Sequence, residues 1–210
     1  MSFAVAEGVL AINPVTGIPN LYHSDRSGII WTDEDLARLF ESCSPEIAWA
    51  GKLGAMTGLR QADLLRLTWD HVKPLSIEIV TGKSRRRPKT AIIPLHSALR
   101  NLLDEIPRRG PTILTNTRRK GWRSGFGDSW RDAVAAAGIS GLHFHDLRGT
   151  AATKLYQADM TEREIAQILG WSEKEVEKLL ELYVKKDEML LDRIRRMDRA
   201  AQREGEDSAV

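Results

Sequence analysis

His145 and Arg148 stand three residues apart in Gly141-Leu-His-Phe-His-Asp-Leu-Arg-Gly-Thr150. At a helix start, positions i and i+3 share a face, so an imidazole and a guanidinium would point at one spot. That pairing suits a phosphate. Arginine offers a planar fork of donors, and histidine gives or takes a proton near neutral pH. A second arginine, Arg60, follows the glycine turn of Thr57-Gly-Leu-Arg60 at the start of a helix. There its fork would aim outward, and free backbone amides would add positive potential. Asp63, three residues on, could hold that guanidinium. Lys83 sits in a basic turn, where its long side chain could reach over a bound phosphodiester. Trp171 can donate one hydrogen bond from its indole, and Tyr183 lies twelve residues later with a phenolic hydroxyl. Singly, each has an ordinary structural reading: a surface ion pair, a solvated lysine, a core indole, a half-buried tyrosine. Their coincidence points to a phosphate-bearing partner.

The charge distribution points the same way. The net charge is only +2, which neither demands nor excludes nucleic acid. The positive residues nevertheless cluster: Lys83 with Arg85, Arg86, Arg87 and Lys89; Arg108 and Arg109; Arg118, Arg119, Lys120 and Arg123; Arg193, Arg195 and Arg196. Arg85, Arg86, Arg87, Arg118, Arg119, Lys120 and Arg123 are the candidate DNA contacts. A single cysteine, Cys43, excludes an internal disulfide framework, and the five histidines show no metal-ligand spacing. No apolar run approaches membrane-spanning length, and the N-terminus does not read as a signal peptide. We expect a cytoplasmic protein with no metal or other cofactor.

The elements that must position these residues read as mainly helical. Thr32 and Asp35 resemble a capping box opening a helix with Leu36, Leu39 and Phe40 inward. A helix follows Pro45, and another runs from about Arg60 to Leu67. Ser76–Val80 alternates like a strand, and Thr90–Leu95 is a second, with the basic Gly82–Lys89 turn between them. Thr112–Thr115 reads as a further short strand. Helices are expected over about 97–106, 124–137, 144–157, 161–169, 173–183 and 187–202, the last amphipathic and followed by a polar tail. The fold class is mainly α, a helical core with a small antiparallel β-sheet.

Together these motifs resemble the catalytic domain of the tyrosine recombinases, the phage integrase family. The resemblance rests on Thr-Gly-Leu-Arg at 57–60, the hairpin lysine at 83, His-Asp-Leu-Arg-Gly-Thr at 145–150, Leu-Gly-Trp-Ser at 169–172 and the late tyrosine at 183, in the family's order. It implies a metal-free transesterification. Tyr183 would attack the scissile phosphate and form a 3′-phosphotyrosyl intermediate. Arg60 and Arg148 would stabilise charge on the nonbridging oxygens. His145 would serve in acid–base work, Lys83 would protonate the leaving 5′ oxygen, and Trp171 would hydrogen-bond the phosphate and pack on the site wall. Arg86 and Lys89 share the turn with Lys83. Arginine does not readily release a proton, which leaves Lys83 favoured. Where this chain has Trp171, the family more often has histidine, and an indole cannot shuttle a proton.

The resemblance also implies double-stranded DNA as partner, with protomers of the same recombinase forming a tetramer on paired sites when the protein is full length. Family members usually carry a helical DNA-clamping domain before the catalytic one. Residues 1–25 read as its remnant plus a linker, 26–185 as the catalytic domain, and 186–210 as a C-terminal helix and flexible tail. The chain then reads as an expressed catalytic fragment or a truncated gene. Two other functions fit the motifs less fully: a non-enzymatic DNA-binding remnant, and a topoisomerase-like enzyme that nicks and relaxes one strand.

Overall fold

In the computed structural model, residues 2–14, 16, 29–82, 89–183 and 194 are described, those at 2, 182 and 183 as backbone only. The basic hairpin turn with Lys83, Arg85, Arg86 and Arg87, the side chain of Tyr183, and the expected helix and tail beyond it therefore lie outside the described residues.

The short helix α1 (Ser2–Ala6) precedes the main body. Helix α2 (Asp33–Ser42) opens on the expected capping box: Asp35 N–H donates to Thr32 Oγ1 at 3.1 Å, and the Asp35 carboxylate accepts from the Thr32 N–H and hydroxyl. Helix α3 (Pro45–Thr57) is buried along most of its length. Its glycines let neighbours approach closely: a Cβ at Gly51 would meet Phe40 and Trp130, and one at Gly54 would meet Leu147 and Phe144. The helix ends at Gly58, which is left-handed at φ 57°. Helix α4 (Gln61–Leu65) is shorter than the sequence pattern implies, because Arg60 stays extended as its N-cap.

Strands β1 (Ser76–Thr81) and β2 (Lys89–Pro94) pair antiparallel, Ser76 opposite Pro94 and Thr81 opposite Lys89. Ile77, Ile79, Ala91 and Ile93 turn inward, as the period of two requires. The expected strand at Thr112–Thr115 does not form. Thr112 and Thr115 make only isolated bridges, to Thr68 and Gly121, because no neighbouring strand offers a continuous ladder. Helices α5 (Ser97–Glu105), α6 (Phe126–Ala136), α7 (Leu147–Gln157), α8 (Glu162–Leu169) and α9 (Glu173–Tyr183) complete the described fold.

An aromatic cluster fixes the His145–Arg148 segment. Phe144 meets Trp130 edge-on at 4.8 Å and Phe126 at 5.2 Å, and Trp130 meets Trp31 at 5.6 Å. The Trp31 indole donates to the His143 carbonyl at 2.9 Å, and its backbone N–H donates to Thr150 Oγ1 at 2.9 Å. The stretch just before α2 is thus pegged to both sides of the 145–148 box.

Gly58 is the most tightly packed of the described glycines. A Cβ there would lie 2.5 Å from Leu169 Cδ2 and 3.1 Å from the Ala151 Cβ, in a left-handed backbone conformation. We expect Gly58→Ala to lower stability by about 1–3 kcal/mol, a fall in Tm of roughly 3–10 °C by thermal unfolding. An unchanged Tm would show that α3 and α8 yield freely here.

Candidate active site

Four elements converge on Arg148. It is the second residue of α7 and, unusually for an arginine, only 5% exposed. Its guanidinium donates to the Gly58 carbonyl, so the glycine turn that precedes Arg60 also anchors the second arginine. The guanidinium carbon lies 4.5 Å from the centroid of the Trp171 ring, a cation–π stack. Burial, and secondly the charge of Arg60, lower the Arg148 pKa to about 9; Asp63 and Glu175 act in the opposite direction. Two guanidinium groups are therefore held close enough to repel each other, one of them inside the protein.

Trp171 is positioned by the end of α8. Gly170 is left-handed at φ 63° and closes that helix. Its bare α-carbon lies against the hairpin, where a Cβ would meet Thr81 and Ala91. Trp171 N–H then donates to the Ala166 carbonyl at 2.8 Å. The indole Nε1 is buried and has no hydrogen-bond partner among the described residues. Ser172 and Glu175 form a capping box at the start of α9, with Ser172 N–H donating to the Glu175 carboxylate at 2.8 Å. Helix α9, which carries Tyr183, thus starts two residues after the stacked tryptophan.

His145 lies in a 3-10 turn, Phe144–Asp146, before α7 begins. It is exposed while Arg148 is buried, so the two do not share the solvent-facing stripe that an ideal helix would give them. The buried Asp146 carboxylate accepts from the His143 N–H at 2.6 Å and sets that turn.

Asp63 requires a correction. It makes no hydrogen bond with the Arg60 guanidinium, because its Oδ1 is taken by other donors and its Oδ2 is buried without a partner among the described residues. The partner is Arg66, whose Nε and Nη2 donate to Asp63 Oδ1 at 3.1 and 2.8 Å. The same oxygen accepts from the Gly82 N–H at 3.0 Å. Arg66 sits at i+3 from Asp63, a spacing visible in the sequence. The Gly58 carbonyl and the charge of Glu175 carried no comparable signal.

Arg118, Arg119, Lys120 and Arg123 line a groove of about 1070 Å³ together with Gln61 of α4 and its C-cap Arg66. Asn116 shapes that loop: its Oδ1 accepts from the backbone N–H groups of Arg118 and Lys120. The remaining basic pair is structural. Arg108 stacks on Trp69, and Arg109 pairs with Glu46 at 2.8 Å.

Residues 32–188 match the sequence profile of the phage integrase family. A shufflon-specific DNA recombinase of Escherichia coli is 30% identical over 120 residues, 56% of this chain and 30% of that protein. A XerC-like tyrosine recombinase of Caldanaerobacter subterraneus is 27% identical over 81% of this chain and 56% of its own length. The integrase of Salmonella phage P22 is 26% identical over 68% of this chain and 41% of its own. Among solved structures, a lambda integrase tetramer bound to a Holliday junction superposes with a TM-score of 0.65 at 24% identity, over 85% of this chain and 55% of that one. The lambda integrase catalytic core gives 0.58 at 23% identity, over 67% of this chain and 90% of that one. The fold is that of a tyrosine recombinase catalytic domain, and the chain belongs to the phage integrase family. It spans about a third to just over half of the length of the relatives named here.

Proposed function

We propose that this chain is the catalytic domain of a site-specific DNA recombinase, which cuts and rejoins DNA through a 3′-phosphotyrosyl intermediate. The observation that supports this most is the buried Arg148, stacked on Trp171 and repelled by Arg60. Like charges held together away from water favour an anion between them, and a DNA phosphate is such an anion. Tyr183 attacks phosphorus as the P–O5′ bond breaks. A tyrosine free in water has a pKa near 10, so the arginines must favour the anionic transition state. Arg60 and Arg148 hold the nonbridging oxygens, His145 assists proton transfer beside them, and Lys83 gives its proton to the departing O5′. Trp171 holds the Arg148 fork in place and packs the wall of the site. Copies of the protein act together on paired sites.

The test is covalent trapping. The protein is incubated with a nicked duplex at low salt without divalent metal, then denatured, and DNA-linked protein is measured. An adduct carried on Tyr183 is the expected result. DNA binding without any adduct would favour a non-enzymatic DNA-binding protein.

The groove gives a separate prediction for DNA affinity. Replacing Arg118, Arg119, Lys120 and Arg123 together by alanine should weaken DNA binding across all sequences. The slope of log K against log salt should fall by about 0.9 for each phosphate that the protein no longer neutralises. Titrations at several salt concentrations measure it; an unaltered slope would remove these residues from the DNA interface.

A further inference from the structure

The far end of α4 is tied to the hairpin by one side chain that the reaction scheme leaves without a role. Arg66 is the C-cap of α4 and is partly exposed. Its fork grips Asp63 Oδ1 through Nε and Nη2, and the same Nη2 donates to the carbonyl of Val80 in β1. Asp63 is only 2% exposed, and its Oδ1 also accepts from the Gly82 N–H. Val80 and Gly82 therefore both terminate on one Asp63–Arg66 pair, one through the arginine and the other through the carboxylate. The next residue in the chain is Lys83. From the other side, Gly170 packs on Thr81 and Ala91, beside the Trp171 that stacks on Arg148. The chain just before Lys83 is thus gripped at 80 and 82 by Arg66 and Asp63, beside the helix whose N-cap is Arg60, and backed at 81 by the end of α8.

We infer that Arg66 is a positioning residue for Lys83, fixing where the lysine enters the active site relative to Arg60 and Arg148. The inference rests on the proposed role of Lys83 as the proton donor to O5′. A planar fork suits the task because it meets two acceptors in a fixed geometry. Without it, the Asp63 carboxylate keeps only the Gly82 N–H, and the end of β1 loses its second anchor. Arg66 also borders the basic groove, so a direct phosphate contact is the competing role.

The two roles separate by leaving group. In the natural reaction the Tyr183 Oη–P bond forms, the P–O5′ bond breaks, and O5′ receives the Lys83 proton. With sulfur in place of O5′, the P–S bond breaks and a thiolate departs without needing that proton. Single-turnover cleavage of a nicked duplex should be measured with both substrates for the unsubstituted protein, Lys83→Ala and Arg66→Met. Lys83→Ala should lose about 10²–10⁴-fold with oxygen and recover with sulfur. Arg66→Met should lose about 10–10²-fold with oxygen, the scale expected for a misplaced catalytic group, and recover to within about threefold with sulfur. Lys83→Ala recovering while Arg66→Met is equally slow on both substrates would overturn the inference alone. So would an Arg66→Met defect confined to DNA affinity and its salt slope. A Lys83→Ala defect that sulfur does not cure, or no cleavage by the unsubstituted protein, would overturn the lysine's proposed role and this inference with it. If Arg66→Met fails to fold, Arg66→Lys keeps a positive partner for Asp63, and its smaller loss must show the same recovery with sulfur.

Discussion

Tyr183→Phe should abolish covalent attachment to DNA, a loss of at least about 10⁴-fold in adduct formation, while DNA affinity and stability change by no more than about 0.5 kcal/mol. The substitution removes one oxygen, and that oxygen is the proposed nucleophile. A group standing in for it would need the same in-line geometry at phosphorus. Trapping on a nicked duplex, with binding and thermal unfolding in parallel, checks all three quantities. An adduct that survives would place the nucleophile elsewhere. A variant that loses its fold would make the tyrosine a packing residue at the end of α9.

Arg148→Met should separate stability from activity. We expect cleavage to fall by about 10²–10³-fold, the usual consequence of removing one preorganised donor from a developing oxyanion. In the absence of DNA the same variant should be at least as stable as the parent. At neutral pH the parent holds a buried guanidinium whose pKa is lowered to about 9, and each unit of that shift opposes folding by about 1.4 kcal/mol. A methionine of similar length fills the space without a charge, at the loss of the Gly58 hydrogen bond and the Trp171 stack. The pH dependence follows with a definite sign. Below about 9 both folded and unfolded chains keep the Arg148 proton, so the penalty is full and constant. Between about 9 and the ordinary arginine value, the unfolded chain binds the proton more tightly, so the parent gains stability as pH rises. Urea unfolding at pH 7.5 and pH 10 should show the parent gaining on Arg148→Met at the higher pH. A parent that is several kcal/mol more stable than the variant at pH 7.5 would mean that the guanidinium is needed for packing.

The outline of the fold was legible where chemistry is local. The Thr32–Asp35 capping box, the alternation of β1 and the glycine ends of α3 and α8 each depend on neighbours in the chain, and the structure places them as expected. The 112–115 stretch shows the limit, since an apolar run becomes a strand only when a partner edge is available. The site divides in the same way. The residue types around Arg148 were readable, but its burial comes with α3, α8 and α9 packing on α7, which no spacing on α7 encodes. Asp63 had an arginine three residues away on each side; the choice turned on the hairpin, whose Val80 carbonyl and Gly82 N–H meet Arg66 and Asp63 from a distant part of the chain. The stack of Arg148 on Trp171 joins α7 to the connection between α8 and α9 and left no trace in either local pattern.

The bonds from Trp31 to His143 and Thr150 bear on how this fold is delimited. The family profile begins at Thr32, one residue after that peg. A chain cut to the matched region would keep Arg60, His145, Arg148 and Tyr183, yet leave a hole where the indole fills the aromatic cluster. It would also strip a donor from each flank of the histidine–arginine box. The matched family region is therefore smaller than the packed unit to which Trp31 belongs. The first residue outside the match belongs to the physical domain.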